Sequence, residues 1–159
     1  MSTEVKENSL IVELRTFAGF MEGRQKEFYN QMLKDARSVE VVRLSKVFSP
    51  DEIKAIKTFV KPQVKECYRN ATLFAHIFPE VKYVEGKMTC CGTFGIEHAW
   101  NKVGEKYADI TMELALGRDP SQEEYMALGE YEQNTVVDIV SKEGFYTSIY
   151  PIIYNKNKI

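Results

Sequence analysis

The sequence is poor in the residues that usually build metal sites and disulfide frameworks. It contains only three cysteines and two histidines in 159 residues. Cys67, Cys90 and Cys91 cannot all pair within one chain, so we expect at least one free thiol. None of them belongs to a Cys-x-x-Cys pair, the spacing typical of structural zinc sites. The sequence therefore predicts no metal and no cofactor.

Long apolar runs and an excess of charge of one sign are also lacking. The 21 Lys+Arg and 23 Asp+Glu give a net charge of −2, whereas a phosphate-binding surface usually requires basic residues in excess. No apolar run approaches the roughly 20 residues that span a bilayer. The first ten residues, MSTEVKENSL, lack the layout of a secretory leader. We therefore expect a cytoplasmic protein that binds neither nucleic acid nor membranes.

The composition that remains is typical of one globular domain of class α+β. We predict a single domain over residues 1–159, with a helical N-terminal part (1–62) and a core (63–159). Apolar spacings of three and four between Leu10 and Arg37 indicate one amphipathic helix, or two broken near Gly23. The segment 39–44 is rich in β-branched residues and indicates a short strand.

Local signals place the remaining elements. Ser49, Pro50 and Glu52 form the pattern of a capping box, which predicts a helix through about Val60. Helical spacing recurs over 67–78. Three strands are expected over 81–91, 96–103 and 106–111. Another capped helix is predicted at 119–131, followed by a short helix ending at Gly144 and an aromatic segment of either type.

The predicted turn at Gly104-Glu105 has a chemical consequence. If it pairs Val103 with Lys106, the strand register puts His98, Trp100, Asp109 and Thr111 on one face of the sheet. His98 and Asp109 are then diagonal neighbours whose side chains can touch. A slip of one residue would move Asp109 to the opposite face.

Cys67 is the candidate nucleophile, because it opens a predicted helix. The partial positive charge of a helix N-terminus favours a thiolate, and a neighbouring imidazole favours it further. Cys67 would attack a carbonyl, His98 would transfer the proton and Asp109 would hold the imidazole. Gln63, four residues earlier, is a candidate oxyanion donor.

Three further residues are candidate substrate contacts, namely Tyr68, Asn70 and Trp100, and Trp100 is equally compatible with a place in the core. Single features of this kind also have structural explanations, because a lone cysteine often packs as a small apolar residue and a strand histidine is often structural. Cys90 and Cys91 are adjacent in a predicted strand and should point to opposite faces. A zinc site formed by Cys67, Cys90 or Cys91 with His98 is the weaker alternative.

The order of these residues resembles that of a known superfamily. Cysteine at the start of a helix, histidine on a strand and aspartate on the next strand is the order of the papain-like and transglutaminase-like superfamily, including its NlpC/P60-type members. The stretches ECYRNATLFA, KYVEGKM and IEHAWNKVGEKYADIT also resemble segments of small bacterial and bacteriophage proteins. The resemblance covers roughly residues 66–111. It implies a catalytic helix packed on a small antiparallel sheet.

Two functions of different classes are compatible with these patterns. The first is a thiol hydrolase or acyl transferase that acts on an amide or ester through Cys67, His98 and Asp109, with a protein or a small acyl compound as substrate. The second is a non-catalytic binding or inhibitor protein, encoded by a phage and directed at a host protein, with a degenerate site. The N-terminal helices would then provide a partner surface or a homodimer interface.

Overall fold

The structure is a computed structural model that describes residues 6–158. Residues 1–5 and 159, which the predicted domain includes, lie outside this range. The helices are α1 (Ser9–Phe20), α2 (Gly23–Asp35), α3 (Pro50–Phe59), α4 (Cys67–Ile77), α5 (Gln133–Glu143) and α6 (Tyr150–Asn157). The strands are β1 (Arg37–Val39), β2 (Val81–Thr89), β3 (Gly95–Val103), β4 (Lys106–Ala108) and β5 (Tyr125–Tyr131). The α+β class is confirmed.

The N-terminal helical region is broken at the predicted place. The side chain of Asn8 caps α1 by accepting from the Leu10 N–H. The next helix starts at Gly23, whose φ of +61° is in the left-handed region that glycine adopts without strain. The two helices pack on each other, and Leu14 and Met32 meet Met126 of β5 in one apolar cluster. The region therefore forms part of the same core as the sheet.

The strands form a curled sheet in the order β1-β5-β2-β3-β4, and every strand pair is antiparallel. Val41, just after β1, makes a parallel bridge to Tyr107 of β4, so the chain runs from one edge of the sheet to the other. The predicted strand over 39–44 is therefore displaced, because β1 ends at Val39 and only this bridge follows. One face of the sheet encloses Val84, Trp100 and other apolar side chains.

The predicted helix over 119–131 is wrong. Asp119 does cap a turn, but only a single 3₁₀ turn at Pro120–Gln122, and the chain then enters β5. Met, Ala, Leu and Glu favour helices locally. Here they lie between β1 and β2 in the middle of the sheet, where strand pairing and burial override local propensity.

The helix α3, which precedes the helix of the candidate nucleophile, agrees with the capping signals in the sequence. Ser49 and Glu52 form the reciprocal capping box at the start of α3, with Pro50 in the first turn. Val60 follows α3 and packs with Phe74 of α4 in a shared apolar cluster. The N-terminal part of the chain is thus in direct contact with the helix that carries Cys67. Within residues 6–158 the helices are too short or too polar to cross a bilayer.

Candidate active site

Cys67 is the first residue of α4, and its side chain is half-buried. The residue before it, Glu66, provides no side-chain cap to the helix. The first intrahelical bond of this turn runs from the Asn70 N–H to the Glu66 carbonyl at 2.8 Å. The amide groups of the preceding positions in the turn therefore point out of the helix beside the thiol, as at any helix N-terminus.

The loop before Cys67 is fixed by the side chain of Asn70. Its Nδ2 donates to the Gln63 carbonyl at 2.8 Å, and its Oδ1 accepts from the Gln63 N–H at 3.1 Å. Arg69 donates to the same Oδ1 at 3.0 Å and to the Lys61 carbonyl at 3.1 Å. Lys61 and Lys65 adopt positive φ angles of 51° and 64°, a conformation that costs energy for non-glycine residues. The hydrogen bond from Arg69 to the Lys61 carbonyl offsets part of that cost at Lys61.

His98 lies on β3, where its partner on β2 is Gly86. The sheet bulges between Glu85 and Gly86, as expected for a strand glycine. A Cβ atom at Gly86 would lie 1.9 Å from the Met126 carbonyl oxygen, so only glycine fits opposite His98. On the other side β4 ends at Ala108, and its pairing reaches only to Asn101. The part of β3 that carries His98 is therefore free of strand pairing on the side where β4 ends.

The predicted turn register is confirmed. Val103 pairs with Lys106, and His98 Nε2 lies 2.7 Å from Asp109 Oδ2. Asp109 comes just after β4 and is fully buried. Its other oxygen, Oδ1, accepts from the Met112 N–H at 3.1 Å, so Asp109 also bonds the first turn of the π-helix at Thr111–Ala115. This second bond fixes the carboxylate in the orientation that meets His98.

The imidazole is held between two partners. Burial lowers the pKa of His98, but the charge and hydrogen bond of Asp109 raise it, and a side-chain hydrogen bond with Cys67 raises it further. The outcome is a pKa of about 10, well above the ordinary value of 6.5. Because the carboxylate can only accept, Nε2 carries a proton, and Nδ1 is the ring nitrogen left for the thiol.

A residue that the sequence did not indicate completes this group. The Tyr125 hydroxyl on β5 donates to Asp109 Oδ2 at 2.7 Å. Burial and the charge of Asp109 raise the pKa of Tyr125 well above its usual range, so that the phenol remains a donor. Tyr125 also packs edge-on against Trp100, with ring centroids 5.0 Å apart, and Trp100 stacks on His98 at 6.1 Å. No signal in the sequence marks Tyr125, because the segment was predicted to be helical.

A second buried carboxylate, that of Glu85, influences Tyr68, the residue that follows Cys67. Burial is the main cause of the raised pKa of Tyr68, and the charges of Glu85 and Cys67 also raise it. Glu85 is 3% exposed and accepts from the Ser148 hydroxyl at 2.5 Å and from the Ile149 N–H at 2.9 Å. It also accepts from the Tyr83 hydroxyl and the Tyr150 N–H, so this carboxylate ties the start of α6 to the sheet beside Tyr68.

The predicted site residues separate into two groups. Cys67, His98 and Asp109 come together as described, and Tyr68 lies beside them, half-buried. Asn70 and Trp100 are 0% and 1% exposed. The side chain of Asn70 bonds the backbone of Gln63 and donates to Thr111 Oγ1 at 2.9 Å. Asn70 and Trp100 are therefore positioned as supports of the site and cannot reach a substrate. The oxyanion role of Gln63 stays a prediction, since the side chain is exposed and only the backbone is fixed.

The predicted strand positions of Cys90 and Cys91 are wrong. β2 ends at Thr89, and both cysteines lie in the loop that leads to β3. Cys91 has a φ of 56°, so the two side chains do not alternate as they would on a strand. Each of the three cysteines, all inside the described range, is a free thiol. Within residues 6–158 no group of three or more His, Cys, Asp or Glu side chains is placed to hold a metal ion.

Comparisons with known proteins provide no family for this chain: family models, curated proteins and solved structures all give no match. The arrangement of Cys67, His98 and Asp109 is therefore the feature of this chain that indicates its chemistry.

Proposed function

We propose that the protein is a thiol hydrolase or acyl transferase that acts on the carbonyl carbon of an amide or ester. The observations that carry this proposal are the 2.7 Å contact between His98 Nε2 and Asp109 Oδ2 and the position of Cys67, near enough to His98 to raise the pKa of its imidazole. A nucleophile, a base and a group that orients the base are the three parts that covalent acyl transfer requires.

The reaction follows from the positions of these groups. A protonated imidazole stabilises a thiolate beside it, and the thiolate attacks the carbonyl carbon. The proton on His98 Nδ1 passes to the leaving nitrogen or oxygen, which leaves a thioester on Cys67. The neutral imidazole then takes a proton from water or from another acceptor, which attacks the thioester and frees the thiol. Asp109 keeps the proton of Nε2 in place throughout, so that Nδ1 faces the reaction.

The negative charge that develops on the carbonyl oxygen of the substrate needs hydrogen-bond donors, and the backbone N–H groups at the N-terminus of α4 supply them. The outward amide groups at the start of the helix lie at the nucleophile itself. The loop from Lys61 to Glu66 adds Gln63 at a fixed backbone position. We propose that its side chain turns toward the same oxygen when substrate binds.

The fold that we propose is papain-like or transglutaminase-like. It is supported by a helix that begins with the nucleophile and packs on β2 and β3, and by a histidine and an aspartate that follow on β3 and after β4. The order and the contacts agree with the resemblance in residues 66–111. The substrate is then a protein or a small acyl compound, which the cytoplasm of a bacterial or infected cell would contain.

The proposal is tested with an activated ester, p-nitrophenyl acetate, as the probe. We expect a burst of p-nitrophenol and an acetyl group on Cys67, located by peptide mass spectrometry. In His98→Ala the acylation rate of Cys67 should fall by about 10²-fold or more, the usual contribution of a general base. Cys90 and Cys91 in the same molecule serve as internal controls. The proposal would be contradicted if Cys67 were acetylated no faster than Cys90 and Cys91 and at the same rate in His98→Ala.

A second function, protein binding through the N-terminal helices, is favoured by the apolar surface of α1. Phe20 is 80% exposed and Phe17 is 44% exposed. We propose as the alternative that this face mediates homodimerisation or binds a host protein. Sedimentation velocity should then show self-association that Phe20→Glu abolishes, with acylation of Cys67 unaffected. A monomer at every concentration would contradict the homodimer.

A further inference from the structure

The loop between β2 and β3 has a defined shape. The Cys90 N–H donates to the Phe94 carbonyl at 3.0 Å, and the Thr93 N–H donates back to the Cys90 carbonyl at 3.2 Å. Glu123 accepts from the Gly92 N–H at 3.1 Å, which ties the loop to the start of β5. The loop is therefore held in one conformation at both ends.

The loop carries thiols on two consecutive residues, Cys90 and Cys91. The left-handed backbone of Cys91, with a φ of 56°, ends the strand alternation, and the charge of Cys91 is near enough to raise the pKa of Cys90. Arg118 Nη1 donates to the sulfur of Cys91 at 3.3 Å. Cys91 is exposed, whereas Cys90 is half-buried. The pair thus consists of an accessible sulfur with a cationic neighbour and a sheltered sulfur behind it.

The two sulfurs have different chemistry. A guanidinium stabilises negative charge on the sulfur to which it donates, and the thiolate is the nucleophilic form. Burial raises the pKa of Cys90, and the charge and hydrogen bond of Cys91 raise it further. Arg118 partly opposes this effect and Glu123 adds to it. Cys90 therefore keeps its proton when Cys91 reacts.

We propose that Cys90 and Cys91 form a dithiol site that is oxidised by hydroperoxides, with Cys91 as the attacking thiol and Cys90 as the resolving thiol. The sulfur of Cys91 attacks the hydroperoxide ROOH. An S–O bond forms, the O–O bond breaks and ROH leaves, which gives a sulfenic acid. The sulfur of Cys90 then displaces the hydroxyl group. An S–S bond forms, and water leaves with the proton of Cys90. Two electrons pass from the dithiol to the peroxide.

This site is distinct from the candidate active site. Gly95 pairs with Thr89 at the end of the ladder, and His98 pairs with Gly86 three residues further along. At about 3.3 Å per residue, the two positions are roughly 10 Å apart along the strand. The proposal therefore does not depend on the acyl-transfer function of Cys67.

The test uses the full-length Cys67→Ser protein, so that only the two loop thiols remain, and hydrogen peroxide as the oxidant. We expect a single peptide containing both cysteines to lose the mass of two hydrogens and to regain it with dithiothreitol. In Cys90→Ser, dimedone should trap a sulfenic acid on Cys91. In Cys91→Ser, no sulfenic acid should form at the same peroxide concentration.

The role of Arg118 is tested by Arg118→Gln, which should slow disulfide formation about two- to fivefold, the usual effect of an exposed charge partner. Arg15→Gln is the matched control, because Arg15 is exposed and paired with Glu7. Three results would each overturn the proposal: a dithiol that resists peroxide, disulfides that form only between molecules, or an Arg118→Gln rate equal to that of the control.

Discussion

Tyr125 and His98 bind the same oxygen of Asp109, each at 2.7 Å. Tyr125 lies on β5 and His98 on β3, and β2 separates the two strands in the sheet. The two side chains reach Asp109 because the sheet is curled and all three groups lie on its enclosed side. This shared oxygen makes the orientation of the imidazole dependent on a strand that is distant in the sequence.

Tyr125→Phe should weaken both the fold and the site. Loss of a buried hydrogen bond to a carboxylate should lower the free energy of unfolding by about 1.5–3 kcal/mol. Alkylation of Cys67 by iodoacetamide should also slow, because Asp109 holds His98 less firmly. The matched control is Tyr107→Phe, which removes a hydroxyl that donates to Glu130 away from the site. Equal labelling rates of Cys67 in the two variants would contradict the role of Tyr125.

Asp109→Asn should change the titration of His98. The pKa of His98 is about 10 with the carboxylate present, and burial lowers it while Cys67 raises it, so without the charge of Asp109 it should fall. Nuclear magnetic resonance of the imidazole measures this directly. In the native protein the ion pair contributes its full stabilisation below about pH 6.5, and this stabilisation is lost as the pH rises through about 10. The pairing of His98 with Asp109 would be contradicted if the free energy of unfolding of Asp109→Asn depended on pH between about 6.5 and 10 as that of the native protein does.

Asn70→Ala should disturb the loop that precedes Cys67. Its amide holds both backbone groups of Gln63, so we expect the free energy of unfolding to fall by about 2–4 kcal/mol. The acylation of Cys67 should slow as well. Asn101→Ala is the control, because Asn101 is equally buried and bonds the Ala71 and Lys82 carbonyls instead. Asn101→Ala should lower the free energy of unfolding by a similar amount, while the acylation rate of Cys67 should stay unchanged. Loss of rate in both variants would assign Asn70 a purely structural role.

Gly86→Ala should be strongly destabilising, because the new Cβ would lie 1.9 Å from the Met126 carbonyl oxygen. We expect a loss of about 3 kcal/mol or more, measured by chemical denaturation. Gly19→Ala is the contrasting variant, since Gly19 lies in α1 and has open space where a Cβ would be added. Alanine there should stabilise the helix by about 0.5–1 kcal/mol. Similar effects in both variants would contradict the close approach at Gly86.

Much of the local structure was predictable. Local sequence signals account for the break at Gly23, the capping box at Ser49 and the end of α5 at Gly144. β5 was missed because its residues have helical propensity, and only its pairing with β1 and β2 makes it a strand. The error had a consequence for the site, because it concealed Tyr125.

By itself, the sequence determined the relation between His98 and Asp109. A short turn at Gly104-Glu105 sets the register of two adjacent strands, and register decides which side chains share a face. Only the tertiary structure decided the rest. The approach of Cys67 to His98 requires α4 to pack on the sheet, and Tyr125 reaches Asp109 only because the sheet curls. Cys90 and Cys91 leave the strand alternation because Cys91 adopts a left-handed backbone conformation. Such contacts depend on packing between elements, which local sequence patterns do not encode.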